Sequence, residues 1–145
     1  MLSYRFVSER LENGNIVKRA KIPVKLIGGK ANMDFAATLD SGSDVTIIPK
    51  AIADFLGVKC DENIVEEKCY GFAKDSFKCV RAKIDIVFKG KEERQSERLN
   101  DIPVLVAFVE EEDPVLGCAK IFDNFKITFN GRKKITLQRI SPETW

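Results

Sequence analysis

The fold is decided by residues 38–49, which read TLDSGSDVTIIP. In four consecutive positions this stretch places a carboxylate, two hydroxyl groups and a glycine, with an apolar run on either side. Apolar residues recur at every second position up to Leu39, so Asp40 is expected where a buried strand ends, and Val45–Ile48 is expected to begin the next strand. Asp, Ser and Gly also favour simple turns, so a purely structural chain reversal stays an alternative.

A carboxylate between two buried strands must be hydrogen-bonded, paired with another charge or functional, because its burial is otherwise costly. Gly42 lets the backbone pass close to the Asp40 carboxylate and offer amide hydrogens to it. The hydroxyl groups of Ser41 and Ser43 are further donors. Asp44 is expected to be solvated, because the alternation of the following strand directs its side chain away from the core. The stretch therefore indicates a site built on Asp40.

Length and composition predict one domain, residues 1–145, with an ordinary buried core. The chain is 44% hydrophobic, yet it has no apolar run near the roughly 18 residues that a membrane span needs. Its start, MLSYRFVSERLENGN, lacks the apolar segment of a signal peptide. We therefore expect a soluble, cytoplasmic protein without membrane contact. The net charge is only +2, with acidic and basic residues interleaved, so no nucleic-acid partner is expected.

The sequence contains no histidine, which excludes the Ser/His/Asp and Cys/His arrangements and removes the usual nitrogen ligand of zinc. The four cysteines have no CxxC spacing, so neither a metal site nor a cofactor is expected. Carboxylate, thiol, amine or hydroxyl chemistry remains. Unreactive buried thiols, which behave as small apolar residues, are the default interpretation of Cys60, Cys69, Cys79 and Cys118.

Period-two alternation dominates the chain and predicts a mainly β domain of short antiparallel strands. Residues 20–26 and 80–88 are the clearest examples, because apolar side chains alternate there with charged or turn-forming residues. Asn13-Gly14 and Asn130-Gly131 lie between strand-like runs, and this dipeptide is a strong hairpin signal. The pattern favours antiparallel strands joined by tight turns.

Two segments are expected to be helical. Pro49 can open a helix that Gly57 closes with a left-handed C-cap. The second is the short segment Cys118–Asn124. Between them, residues 91–100 (KEERQSERLN) are expected to form a solvated edge or a mobile loop. The buried face of the first helix is expected to consist of Ala51, Ile52, Phe55 and Leu56.

Two motifs together resemble the retropepsin-like aspartic proteases, the family of the retroviral proteases and their cellular relatives. One is the Asp-Ser-Gly turn at Asp40, and the other is Val115-Leu116-Gly117, which is followed by a short helix and a closing hairpin. The resemblance runs from about Ile22 to Leu137. It implies a closed or partly open β-barrel of the acid-protease type, with one or two short helices, that assembles as a homodimer.

The resemblance also implies roles for individual residues. Asp40 corresponds to the catalytic aspartate, and Ser41 is expected to reach across to the opposing turn of a partner subunit. Ser43 is expected to donate a hydrogen bond to the outer carboxylate oxygen. The catalytic turn corresponds to Asp40, Ser41 and Gly42, and the supporting residues correspond to Ser43, Val115, Leu116 and Gly117.

A substrate-binding flap is expected between two strand candidates, where the family has a glycine-containing hairpin. Such a flap closes over an extended peptide, which pairs as an added strand and directs alternate side chains into pockets. Closure also excludes water other than the nucleophile. An ordinary surface hairpin is the alternative. The flap residues are expected to be Tyr70, Gly71, Phe72 and Ala73.

Peptide hydrolysis by carboxylates requires two carboxyl groups that share one proton, so that one acts as an acid while the other activates a water. The sequence has a single Asp-Ser-Gly turn. The second carboxylate must then come from another copy of the chain, across a twofold axis. We expect an aspartic endopeptidase that acts on peptide or protein substrates, cuts between apolar residues and works best at mildly acidic pH. The alternative is a catalytically silent module that binds peptides or scaffolds a partner.

The spacing of two cysteines suggests a disulfide as a further possibility. If the flap hairpin turns about Lys74, then Cys69 and Cys79 face each other across its strands. Intracellular proteins rarely keep such bonds.

Overall fold

The computed structural model describes residues 1–68, 76–109 and 113–140, with side chains described for all of these except 62–68, 76 and 77. Within these ranges no helix is long and apolar enough to cross a membrane. A helix, α1 (Lys50–Leu56), and a single 3-10 turn (Glu93–Gln95) accompany the strands. The described strands are β1 (Leu2–Arg5), β2 (Val7–Arg10), β3 (Ile16–Arg19), β4 (Lys21–Ile27), β5 (Asn32–Leu39), β6 (Thr46–Pro49), β7 (Cys60–Lys68), β8 (Ser76–Phe88), β9 (Glu97–Ala107), β10 (Val115–Leu116), β11 (Phe125–Asn130) and β12 (Lys134–Arg139).

Six of the described strands close into a barrel in the order β4-β5-β10-β6-β9-β8, and the ring is completed where β8 pairs with β4. The closing pairs run from Val24 opposite Phe88 to Ile27 opposite Asp85. Strand β7 pairs with β8 and extends the sheet beyond the barrel. The prediction of a mainly β, closed barrel is confirmed.

The predicted alternation sets the barrel core. In β4 the side chains of Ile22, Val24 and Leu26 are fully buried, while the intervening positions are exposed or half-buried. Ile86 and Phe88 of β8 are buried in the same way. Each strand therefore presents one apolar face to the interior, as period-two patterning requires.

Helix α1 begins after Pro49 and ends at Gly57, whose φ of 68° is the expected left-handed C-cap. The predicted buried face is partly wrong, because Ala53 and Leu56 are the buried residues and Phe55 is 56% exposed. Ala51 is exposed as well. The helix follows β6 without an intervening turn, so the direction of that strand fixes which face meets the barrel.

The second predicted helix, Cys118–Asn124, is wrong. The segment is a series of turns, and Lys120 has a φ of 63°. A left-handed residue interrupts the repeating hydrogen bonds of a right-handed helix. The Lys120 amide instead bonds to the Asp123 carboxylate at 3.0 Å.

The expectation of a solvated edge or loop at residues 91–100 holds only for its first part. After the 3-10 turn, the chain enters β9 at Glu97, and Leu99 is 4% exposed opposite Ile86. Pairing with β8 and the burial of Leu99 therefore hold this part of the segment against the barrel.

The two ends of the described chain form a second sheet in the order β1-β12-β11. The β11–β12 hairpin turns at Asn130-Gly131 as predicted, and Gly131 has a φ of 55°. Next to this sheet, β2 and β3 form a two-stranded hairpin that turns at Gly14 and pairs with no other described strand.

The expectation of buried thiols holds for only one of the described cysteines. Cys79 is fully buried in β8, Cys118 is half-buried and Cys60 is exposed. Cys60 lies where β7 begins, at the surface, so its side chain has no core to enter. The fourth cysteine, Cys69, lies outside the described residues.

Candidate active site

The Asp40 turn joins β5 to β6 at one end of the barrel. The Asp40 amide donates to the Leu116 carbonyl at 2.9 Å, and the Ser43 amide donates to the Asp40 carbonyl at 3.2 Å. The flanking strands are buried, but the tip is at the surface: Asp40 is half-buried, and Ser41 and Gly42 are exposed. The carboxylate is therefore fixed by the backbone on one side and accessible on the other.

Gly42 holds the Asp40 carboxylate. Its amide donates to Oδ1 at 2.8 Å, which is the close backbone approach that the sequence predicted. A Cβ atom at position 42 would lie 3.1 Å from the same oxygen, a tighter contact than side chains usually make. Within the described part of the chain, Oδ2 of Asp40 has no hydrogen-bond partner.

Strand β10 supports the turn from below. It lies between β5 and β6, with Val115 opposite Thr38 in a parallel pair and opposite Ile47 in an antiparallel pair. Leu116 is fully buried opposite Leu39. This short strand therefore links β5 and β6, the two strands that flank the Asp40 turn.

Gly117 continues β10 into a space that admits no side chain. A Cβ atom there would lie 2.2 Å from the Val45 carbonyl oxygen and 2.8 Å from that of Ser43. The next amide, that of Cys118, donates to the Ser43 carbonyl at 2.9 Å. Glycine is thus required because two stretches of backbone meet here without side chains between them.

Thr46 is a site residue that the sequence analysis missed. Its side chain is fully buried, and its Oγ1 accepts the Gly117 amide at 3.1 Å. The bond satisfies a buried amide that lacks a strand partner. The available signal was a lone hydroxyl residue within the apolar run VTIIP.

The predicted role of the Ser43 hydroxyl is wrong. Ser43 is 4% exposed, and its Oγ donates to the Val45 carbonyl at 2.7 Å rather than to the Asp40 carboxylate. The hydroxyl therefore stabilises the turn itself. Asp44 is exposed, as expected.

Ser41 lies at the tip of the turn. Its hydroxyl makes no hydrogen bond to any residue that the structure describes, while its carbonyl accepts the Cys118 thiol at 3.3 Å. Burial, followed by the nearby Asp44 and Asp40 carboxylates, raises the pKa of the Cys118 thiol. At neutral pH Cys118 is thus a neutral donor that helps to hold the turn.

The predicted flap residues Tyr70, Gly71, Phe72 and Ala73 lie outside the described residues. The strands that lead to them, β7 and β8, pair up to Lys68 opposite Ser76. In this register Val65 is opposite Cys79, so the strand pairing does not support the predicted disulfide to Cys69.

A groove of about 730 Å³ opens beside Asp40. One wall is the β2–β3 hairpin, with Glu9 and Val17, and the other comprises Thr38 and Val115 next to the Asp40 turn. The groove is large enough for one or two side chains of a peptide, which could thereby reach the Asp40 carboxylate.

One of three comparisons with known proteins agrees with this architecture. No family model matches the sequence, and no curated protein matches it. Among solved structures, the crystal structure of a retropepsin-like aspartic protease from Rickettsia conorii superposes with a TM-score of 0.56 and 14% sequence identity, over 94% of this chain and 99% of that chain. The predicted resemblance is thereby confirmed at the level of architecture: this chain has the fold of the retropepsin-like aspartic proteases.

Proposed function

We propose that this chain is an aspartic endopeptidase whose active form is a homodimer. One observation carries the proposal: the Asp40 carboxylate is held at Oδ1 by the Gly42 amide, while Oδ2 is bonded to no described residue and a groove opens beside it. Such a group is positioned for chemistry and still accessible to a substrate.

The chemistry assigns different tasks to two carboxyl groups that share one proton. The ionised group removes a proton from a water molecule, which adds to the carbonyl carbon of the peptide bond, while the protonated group donates to the carbonyl oxygen. The tetrahedral intermediate then collapses as a proton passes to the amide nitrogen, which leaves as an amine. The pair titrates as a unit, so the proton belongs to neither aspartate alone.

A second copy of the chain supplies the second carboxylate. The exposed tip of the turn, at Ser41 and Gly42, suits an isologous contact in which each turn meets its own duplicate. The Ser41 hydroxyl, which has no partner among the described residues, is the group that we expect to bond across this contact.

The described end sheet limits how such a dimer can form. Strand β12 is paired on one side with β1 and on the other with β11, so its backbone has no edge left for a strand of the partner. Within this sheet, a strand of the partner could add only at the outer edge of β1 or β11. The expected contact therefore centres on the Asp40 turns rather than on exchanged β12 strands.

The flap residues, Tyr70, Gly71, Phe72 and Ala73, complete the proposal. The hairpin of β7 and β8 leads towards them, and they would cover an extended peptide by backbone pairing. No cofactor or metal is required for this mechanism, since water and two carboxyl groups supply all its proton transfers.

The variant Asp40→Asn tests the activity. It replaces one carboxylate oxygen by an NH2 group, which gives an uncharged amide of the same shape. We therefore expect cleavage of a diverse peptide library to fall below detection while the fold is retained. Asp54→Asn is the matched control, because Asp54 is an exposed carboxylate on α1 that pairs with Lys50 at 2.8 Å. Undiminished cleavage by Asp40→Asn would contradict the proposal.

Subunit mixing tests the dimer. Wild-type and Asp40→Asn protein are mixed in equal amounts until their subunits have exchanged fully. Half of the wild-type subunits would then reside in mixed dimers that have only one Asp40 carboxylate, so activity should fall to about half that of the same amount of wild-type protein alone. Unchanged activity would show that a single chain is sufficient. Peptide binding without turnover, by contrast, would favour the catalytically silent module.

A further inference from the structure

The groove beside Asp40 has charged walls, which the proposed mechanism does not explain. Apart from Asp40, the described residues that line it include more cations than carboxylates. We propose that this groove selects an acidic substrate side chain next to the cleaved bond, an inference that rests on the proposed endopeptidase function. The charged residues are Lys18, Arg19, Lys21 and Arg132, with Glu9 and Asp113 as the two carboxylates.

Both wall carboxylates are already paired with cations. Lys21 Nζ lies 3.6 Å from Glu9 Oε2 and 3.4 Å from Asp113 Oδ2, and the Lys21 side chain is only 19% exposed. Arg19 Nε lies 3.6 Å from the same Glu9 oxygen. The Lys21 pairs join the β2–β3 hairpin to β4 and to the segment that leads into β10, and the three pairs partly offset the charges of both carboxylates.

One further cation lines the groove and pairs with no carboxylate among the described residues. It is Arg132, in the turn between β11 and β12. Lys18 also borders the groove, but strand alternation directs its side chain to the face of β3 opposite that of Val17 and Arg19. A carboxylate that enters the groove would therefore gain an ion pair with Arg132, whereas a lysine would be repelled by it and an uncharged side chain would leave it without a partner.

The position of the groove determines which substrate residue enters it. Asp40 lines the groove together with its strand neighbours Thr38 and Leu39, so the groove begins where the reacting carbonyl must lie. An extended peptide directs alternate side chains towards the protein surface, and the side chain that flanks the reacting carbonyl is the one within reach. In a twofold dimer the groove occurs on both sides of the cleaved bond. This inference replaces the expectation of cleavage between apolar residues.

Three peptides that differ only at one position beside the cleaved bond test the selection. With Glu, Gln and Lys at that position, we expect kcat/KM to decrease in this order, by about five-fold at each step, which is the size of a partly exposed ion pair. The preference should shrink with added salt, because ions screen exposed charges.

Charge reversal tests whether this groove causes the preference. Arg132→Glu should invert the order of Glu and Lys, and this residue is exposed, so the fold should tolerate the change. The control is Lys126→Glu, which changes the net charge equally at an exposed position away from the groove. The control should retain the wild-type order.

Equal kcat/KM values for the three peptides, an order unaffected by the groove variant, or an equal shift in the control would overturn the inference while leaving the endopeptidase function intact. If no peptide is cleaved, the proposed function fails first. Binding of the same three peptides by Asp40→Asn then decides the inference: a Glu preference that the groove variant inverts supports it, and equal binding overturns it.

Discussion

The Asp40 turn and the β2–β3 hairpin face the same groove, but different interactions hold them in place. The turn is fixed by backbone hydrogen bonds of 2.8 to 3.2 Å, and Gly117 beneath it has no room for even one more carbon. The hairpin is a two-stranded ribbon, and the half-exposed ion pair between Glu9 and Lys21 joins it to the barrel.

This difference separates positioning from recognition. In the proposed dimer, the Asp40 carboxylate must lie within hydrogen-bond distance of the same group in the partner subunit. It therefore tolerates little displacement, and close-packed backbone can hold it in place. A wall that reads the charge of a substrate side chain acts over a longer range and can be changed by surface substitutions without affecting the core. We therefore expect mutations at the turn to cost far more stability than mutations at the hairpin.

Gly117→Ala should have the largest effect on stability. The added Cβ would lie 2.2 Å from the Val45 carbonyl oxygen, so backbone must move, at a cost on the order of 3 kcal/mol in the free energy of unfolding. Gly131→Ala is the control, because it has a φ of 55° and open space around it, and it should cost only about 1 kcal/mol. Denaturant unfolding measures both, and equal losses would remove the distinction between the two regions.

Thr46→Val should come next. Valine keeps the shape of threonine but leaves the buried Gly117 amide without its acceptor, which costs about 1–3 kcal/mol. Thr46→Ser retains the acceptor oxygen and should lose less. If the two variants unfolded at the same denaturant concentration, the bond between Thr46 and Gly117 would have no part in holding the turn.

Asp85→Asn tests a third kind of support, a half-buried carboxylate that accepts a hydrogen bond from the backbone. The Asp101 amide, at 2.9 Å, and then Arg98, at 2.7 Å, hold the pKa of Asp85 below its usual range. Because the folded-state pKa is lowered, this stabilisation is present above about pH 4 and is lost as the pH falls through the lower folded-state pKa.

The free energy of unfolding of the wild type should therefore drop more steeply than that of Asp85→Asn as the pH falls below about 4. We expect a smaller effect than for Thr46→Val. Arg98→Met should remove only the lesser part of the pH dependence, since the Asp101 amide is the larger cause. Parallel pH profiles for wild type and Asp85→Asn would rule out this support.

Lys21→Met should have the smallest effect on global stability, below about 1 kcal/mol, because ion pairs with solvent-exposed carboxylates contribute little. It removes the pairs with Glu9 and Asp113 while keeping the apolar stem of the side chain. Hydrogen exchange should quicken at the amides of β2 and β3 and stay unchanged at Asp40 and Ser43. An equal loss of protection at the turn would mean that the two regions are held together rather than separately.

Local signals predicted most of the fold. Period-two alternation located β4 and the end of β8, and the glycines at positions 57 and 131 marked the end of α1 and the turn of the β11–β12 hairpin. The Asp-Ser-Gly turn and Gly117 were recognised because close backbone contacts require particular residue types at fixed positions. The helix expected at Cys118–Asn124 failed because Lys120 adopts a left-handed conformation that its residue type does not signal.

What only the tertiary structure decided is how distant residues combine. The sequence by itself determined the clearly alternating strands such as β4, the single Asp-Ser-Gly carboxylate and hence the need for a second copy if the chain is an enzyme. It could not show that Ser43 bonds to Val45, that Thr46 accepts the Gly117 amide, or that Lys21, Asp113 and Arg132 line one groove. Periodicity reports only which side of a strand is buried, whereas the partners of a polar side chain depend on barrel closure, which brings together residues that are far apart in the chain.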